Sequence, residues 1–344
     1  MVRVEDVARE AGVSPITVSR TLSNPEKVRE ETRKKVEAAV AKTGYVLNRF
    51  ASSLRSGRST IVSMFVSNLA NAHFANAIQG CADAFEGSRY HLLLAQTGYD
   101  DVAQKDILDE VMPFRPAAMI FTGPVESEPL REQLRTLDLP VMELWEFTPD
   151  PIDMLVGFSS FDGGRMLGRH FRERGYRRVA YAGRTSTSSN SLDGFIDGLG
   201  RKPDFVLPLE GRLTISDGMA ALETVLEQVP DADAIQFAGD VLAVGALLQA
   251  RKLGIDVPGR VAIAGYGDLD FSSHVSPSLT TIHISSYQMG LAAGQMLLKR
   301  LNKEEIGERV VMTPIHLELR DSTAAPGAKL SDPARLPSAR KAGF

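Results

Sequence analysis

Cysteine is nearly missing: Cys81 is the one thiol in 344 residues. No internal disulfide can form, and a reducing compartment is expected. No apolar run reaches eighteen residues, which excludes a membrane-spanning helix. The first ten residues carry charges throughout and have no apolar stretch of the kind that leads a chain to export, so a cytoplasmic location is expected. Six histidines (His73, His91, His170, His274, His283 and His316) show no metal-ligand spacing, and one cysteine cannot build a zinc cluster. Nucleophile-elbow, Walker and complete dinucleotide glycine patterns are also lacking. Gly265 and Gly267 reproduce two glycines of the last pattern, which a tight turn at a strand end explains. No enzyme activity, cofactor or metal is expected. Cys81 reads as a small core residue within a helix.

What is present is a globular composition, 43% hydrophobic and 24% charged, enough for two or three domains with cores of their own. The charge is unevenly placed. Residues 1–60 hold 12 Lys and Arg against 7 Asp and Glu, while the remainder holds 27 against 36. A small basic head on an acidic body places any polyanion contact on the head.

Within that head, Val4, Val7, Ala8 and Ala11 recur at helical spacing and stop at Gly12. Ser14 is a good N-cap, and Pro15 suits a first helical position. The second helix is predicted over about Pro15 to Leu22, with Val18 and Leu22 inward, and Asn24-Pro25 breaks it. A third runs over about Glu30–Thr43, using Val36, Ala39 and Val40. Two helices joined by a four-residue turn, with a third behind them, make a helix-turn-helix. Pro15, Ile16, Thr17, Ser19 and Arg20 stand where such a module meets the major groove. Arg20 can donate two bonds to guanine, and Ile16 can meet a thymine methyl. The alternative is a three-helix packing module whose polar residues only face solvent.

The run "VEDVAREAGVSPITVSRTLSNPEKV…TRKKVEAAVAKTGYVLNRFASSLRSGRS" resembles the headpiece of LacI/GalR-type transcriptional regulators. The resemblance implies DNA contacts from Ser14, Asn24, Tyr45, Asn48, Arg49 and Arg55 besides those above. It also implies a hinge helix over Asn48–Ser56, whose Leu54 wedges into the minor groove when a dimer sits on its operator. An apolar side chain among Ser52, Ser53, Arg55 and Ser56 has no core to join, and apolar wedges are a known kinking device; a flexible linker is the other reading. Arg29 departs from the family pattern, which has Ser before Glu-Glu-Thr-Arg. The lost cap costs about 1 kcal/mol.

Past Thr60 the pattern alternates strand and helix. Strands are expected at Ile61–Val66, Leu92–Gln96, Ala118–Phe121, Val141–Trp145, Val179–Ala182, Ala234–Phe237 and Val261–Ala264. Helices are expected at Ala72–Phe85, Phe161–Arg174 and Val241–Lys252. This is an α/β body of parallel sheets wrapped by helices, in two lobes, with ligand at the carboxyl ends of the strands between them. Segments such as "GDVLAVGALLQARKLGIDVPGRVAIAGYGD" and "SPSLTTIHISSYQMGLAAGQMLL" resemble the effector-binding and dimerisation core of the same family, which is similar to periplasmic sugar-binding proteins. "VMELWEFTPDPIDMLVGFSSFDGGR" and "GYGDLDFSSHVSPSLTT" resemble its gluconate-repressor branch.

The expected layout is a helix-turn-helix over 1–47, a hinge or linker over 48–59, a two-lobed effector and dimerisation domain over 60–322, and a disordered tail over 323–344. The resemblance implies a homodimeric repressor of carbohydrate genes that binds double-stranded pseudo-palindromic operator DNA and answers to a carbohydrate effector, with a sugar acid leading. Ser67, Asn68 and Phe74 follow the first strand and are pocket candidates. Trp145 can face a sugar ring, while Arg184 and Asn190 can receive a carboxylate or phosphate. Packing of Trp145 in the core and solvation of Arg184 are the plainer alternatives. Asp240 and Asp268 either line the cleft or cap helices. The family pattern is broken at Ser191, where an arginine is usual, at Gly239 in place of Asn, and at Gly267 in place of an acid. An unusual or lost effector response is therefore the first alternative. A sugar-binding protein without DNA function is the competing class, and it would need an export signal and no basic head.

Overall fold

The computed structural model describes residues 2–23, 25–45, 59–98, 101–185 and 190–324. The chain divides into two compact units between Ser59 and Thr60. The first holds α1 (Val4–Ala11), α2 (Pro15–Ser23) and α3 (Glu30–Thr43). Val7, Ala8, Val18, Val36 and Ala39 form its buried centre, with Leu22, Val40 and Tyr45 packed against them. Gly12 and Gly44 end α1 and α3 in the left-handed region at φ 66° and 67°, where a residue without a β-carbon is least strained.

The second unit runs β1 (Ile61–Val66), α4 (Ala72–Ala84), β2 (His91–Gln96), α5 (Asp101–Val111), β3 (Ala118–Thr122), α6 (Glu128–Thr136), β4 (Val141–Glu146) and β5 (Met154–Phe158). It continues through α7 (Ser160–Arg174), β6 (Val179–Gly183), α8 (Ser191–Leu199), β7 (Phe205–Pro208), α9 (Ile215–Gln228), β8 (Ala234–Phe237), α10 (Asp240–Leu253) and β9 (Ala262–Ala264). The chain then returns through β10 (Thr281–Ile284), α11 (Ser286–Leu301), β11 (Val310–Met312) and β12 (Ile315–Glu318). The seven expected strands and three expected helices are all present, within a residue or two of their expected ends. β5, β7, β10, β11 and β12 are additional.

One lobe is a six-stranded parallel sheet ordered β11-β5-β4-β3-β1-β2; the other is a four-stranded parallel sheet ordered β7-β6-β8-β9. β10 and β12 form an antiparallel ribbon with His283 opposite His316. The chain passes between the lobes at β5 to α7, β10 to α11 and β11 to β12. Strand order reverses beside β1 in the first sheet and beside β6 in the second. Such switch points open a crevice at the carboxyl ends of the strands. Both sheets therefore direct the same residues toward the junction: those after β1, β3, β6 and β8.

Helices are packed closely where glycine permits. A β-carbon on Gly168 of α7 would meet the Phe195 carbonyl of α8, and one on Gly198 of α8 would meet the Arg165 carbonyl of α7. Cys81 is fully buried on α4, and burial pushes its thiol up to about 12, leaving an inert core residue.

Candidate functional sites

At the start of α2 the Ser14 hydroxyl accepts from the Thr17 N–H at 3.2 Å and lies 2.9 Å from the Thr17 hydroxyl. That cap satisfies one of the orphan donors at the helix end. The same helix buries Val18 completely and turns Ile16 outward with 71% of its surface exposed. Ser14, Pro15 and Arg20 are also exposed, Thr17 and Ser19 are half-buried, and no described residue pairs with Arg20. A helix anchored by one apolar residue thus presents an isoleucine, hydroxyls and a guanidinium together on its outer side. α3 starts at Arg29, whose side chain makes no cap, as its residue type implies. Asn24, Asn48, Arg49, Leu54 and Arg55, with the hinge and the tail after 324, lie outside the described residues. Tyr45 is half-buried against the head core.

The second site is the junction of the two lobes. Ser67 lies immediately after β1, its N–H donating to the Thr122 hydroxyl at 3.2 Å and its own hydroxyl to the Thr122 carbonyl at 3.4 Å. Asn68 is occupied locally, accepting from the Ala70 N–H at 3.0 Å. Asn71 caps α4, which carries His73 and Phe74 in its first turn. Phe74 meets Trp145 edge-on at 4.9 Å between ring centroids; Phe158 does so at 5.5 Å, and His73 lies at 5.7 Å. Trp145 has φ 99°, a strained backbone for a bulky residue. The strain breaks strand alternation, so Leu144 and Trp145 both pack on the same core.

Beside it, Glu146 is nine-tenths buried, and its Oε1 accepts from the Ser160 N–H at 3.2 Å. Burial pushes its pKa up to about 7 against the hydrogen bonds from Ser160 and Phe147. Tyr266, just past β9, donates to the Ser160 carbonyl at 3.3 Å. Burial raises its hydroxyl well above the usual phenol range, with the nearby Glu146 charge pushing the same way. His73 is buried, with Nε2 unpartnered among the described residues, Nδ1 3.4 Å from the Ser286 hydroxyl, and a pKa lowered by burial to about 4. Gln236 on β8 is fully buried with neither amide atom partnered among the described residues.

Two comparisons bear on these sites. The model for bacterial regulatory proteins of the lacI family matches residues 3–48, and that for a periplasmic binding protein-like domain matches residues 169–323. The HTH-type transcriptional regulator GntR of Escherichia coli K12 is 28% identical over 332 residues, 95% of this chain and 98% of that one. The crystal structure of transcription regulator GntR from Chromobacterium violaceum is 30% identical, covers 76% of this chain and 99% of that chain, and superposes with a TM-score of 0.72. The chain belongs to the lacI family. A lacI family regulator from Silicibacter pomeroyi, 27% identical, superposes at 0.86 over 94% of this chain and 99% of that one.

As a member of the lacI family this chain is a DNA-binding transcriptional regulator and not an enzyme. No described helix is long and apolar enough to cross a membrane. In this lacI family body the expected pocket residues separate into two groups. Ser67, Phe74 and Trp145 stand at the junction. Asp240 is corrected: it is 1% exposed, and its carboxylate accepts from the Leu269 N–H and Ser272 hydroxyl at 2.7 Å and the Thr281 hydroxyl at 2.6 Å. That side chain ties α10 to Leu269, Ser272 and Thr281, so most of its lone-pair sites are used within the protein. Asp268 is likewise engaged, with Arg320 at 2.6 Å and His283 at 2.7 Å. Arg184 donates to the Gly211 carbonyl, Asn190 is exposed ahead of α8, and Ser191 is buried in the first turn of α8. Glu146, His73, Tyr266 and Gln236 were missed. Two carboxylates, Glu143 and Glu146, within an otherwise apolar strand were the available signal for Glu146; the others needed the fold.

Proposed function

We propose that this regulator binds a pseudo-palindromic operator as a homodimer, represses carbohydrate genes, and changes its DNA affinity when a small hydroxyl-rich effector binds between the two lobes of the body. The observation that carries the reading is the outer side of α2: Ile16, Thr17 and Arg20 on a helix capped by Ser14 and anchored by Val18. Exposing most of an isoleucine on a capped, charged helix serves base-edge contact better than stability. Two heads related by a two-fold axis match two half-sites. Self-association is supported by β2, an edge strand whose Leu93 and Leu94 are exposed; unpaired apolar edges are usually covered. Cytoplasmic placement and the domain limits 1–47, 48–59 and 60–322 belong to the same proposal; the expected tail boundary at 323 is corrected, because Thr323 is buried in the body with its hydroxyl 2.8 Å from His170 Nε2 and from the Thr280 hydroxyl.

Allosteric control requires that effector prefer one lobe arrangement, and the three inter-lobe passages are where such a change would bend the chain. The alternative, a regulator whose effector response is unusual, is favoured by one observation: Arg184, the guanidinium expected to receive an acid, is engaged within the protein, as is Arg320.

The test is selection of the full chain against random-sequence duplex DNA, followed by fluorescence anisotropy at several salt concentrations. Enrichment of a two-fold symmetric sequence, with affinity falling steeply as salt rises, is expected. Enrichment of nothing, or of an asymmetric site, would overturn the operator model. Leu54→Ser is expected to abolish tight binding while leaving the body folded.

A further inference from the structure

Strand β4 carries two buried carboxylates, and they are treated differently. Glu143, 1% exposed, accepts from Arg131 Nη1 at 3.2 Å and from the Ile152 N–H at 2.7 Å, with the Val125 N–H at 3.5 Å. Its charge is matched and its role is internal. Glu146, three residues on, has the Ser160 N–H but no cation beside it among the described residues. A buried carboxylate without a counter-charge is costly when ionised. It sits at the lobe junction, next to the half-buried Trp145, whose ring is backed by the buried Phe74 and Phe158, while the buried Nε2 of His73 stands unpartnered among the described residues. Trp145 is held there on a strained backbone.

We propose that Glu146 and Trp145, the latter backed by Phe74, select an effector bearing a protonated amine on a polyhydroxyl frame, in preference to a sugar acid. This rests on the effector site lying between the lobes. An ammonium supplies the charge that Glu146 lacks, and the Trp145 ring adds cation–π attraction in a desolvated place. A carboxylate ligand meets a second carboxylate instead, with Arg184 and Arg320 already engaged. The pKa of Glu146, about 7, agrees with the missing cation. The other titratable groups here are Tyr266 and Tyr181, which stay neutral, His73, neutral above about pH 4 with Asp268 and His283 near it, and Asp162 on α7, which shares Tyr266 as a neighbour.

The experiment uses the full chain and Trp145, its sole tryptophan, as an intrinsic fluorescent reporter. Three probes differ only at the first carbon: 1-amino-1-deoxysorbitol, sorbitol and gluconate. At pH 8 the amine is expected to bind about tenfold or more tighter than sorbitol, the scale of one charge-assisted hydrogen bond, with gluconate weakest. Glu146→Gln should erase the amine's advantage. In wild type that advantage should also shrink at pH 6, a measurement that stands even where the variant folds poorly. Gluconate binding as tightly as the amine, or an advantage that survives in Glu146→Gln, overturns the amine class and leaves the cleft reading standing. Silence from all three overturns both.

Discussion

The phenol of Tyr266 occupies the space that a β-carbon on Gly163 would need. Gly163 lies in the first turn of α7, just after the chain leaves the first lobe, and Tyr266 follows the last strand of the second sheet. The contact fixes the tyrosine beside Ser160 and Glu146, so the shape of the junction depends on a glycine. Gly163→Ala is expected to destabilise the body by about 1–3 kcal/mol through overpacking. Adding Tyr266→Phe should recover part of that loss, because the hydroxyl makes the nearest clash. Paired urea melts of the single and double variants check this. A double variant no better than Gly163→Ala alone would show that the strain is relieved elsewhere.

On α2, stability and recognition should separate. Ile16 is too exposed to hold the head together, so Ile16→Ala should change stability by no more than about 0.5 kcal/mol while weakening binding to the selected operator. Arg20→Ala should go further and flatten discrimination between operator and scrambled DNA, since a bidentate guanine contact contributes about 1–3 kcal/mol to base choice. Anisotropy titrations against both duplexes separate these effects. Equal losses on operator and scrambled DNA would assign Arg20 to phosphate.

Arg29 heads α3 without a side-chain cap. Arg29→Ser should therefore stabilise the head by about 1 kcal/mol, the usual value of a serine N-cap. Thermal unfolding followed by helical circular dichroism measures it. No gain would mean that the Arg29 backbone, at φ −56° and ψ 139°, does not bring a serine hydroxyl to the open N–H groups.

The head was readable because its signals are local: Gly12, Ser14 and Pro15 set the turn, and Val7, Val18 and Val36 repeat at helical spacing. Seven strands of the body, β1 to β4, β6, β8 and β9, were readable for the same reason, each being a run of mostly apolar residues between turn signals. β5 was missed, being five residues with a glycine inside, and β7, β10, β11 and β12 are short pieces with weak alternation. The cleft was read less well. Residue type alone cannot tell Asp240, held by three donors, from Glu146, which lacks a cation. The difference lies in which distant segments reach each carboxylate: Leu269, Ser272 and Thr281 for the first, Ser160 and Tyr266 for the second. Trp145 shows the same limit, since its backbone strain follows from sheet and core packing together.

Acid should unfold the body earlier than its carboxylates alone imply. His73 and His170 are both lowered from 6.5 to about 4 by burial. Their folded forms stay neutral while the unfolded chain takes up protons. The stability they contribute is present above pH 6.5 and is lost as pH falls from 6.5 toward 4, up to about 3 kcal/mol for each. Glu146 works in the opposite direction. Its raised pKa contributes stability below 4.5 that is lost as pH rises through about 7, by a similar amount. Glu143 and Asp240, both raised by burial, push the same way as Glu146, so the decline that the histidines cause between pH 6.5 and 4 is read as the difference in denaturant midpoint between wild type and variant. His170→Asn should flatten that decline if the amide keeps the bond made to the Thr323 hydroxyl at 2.8 Å. Glu146→Gln should instead steepen it, because the opposing contribution is gone. A decline unchanged in His170→Asn would place the proton uptake elsewhere.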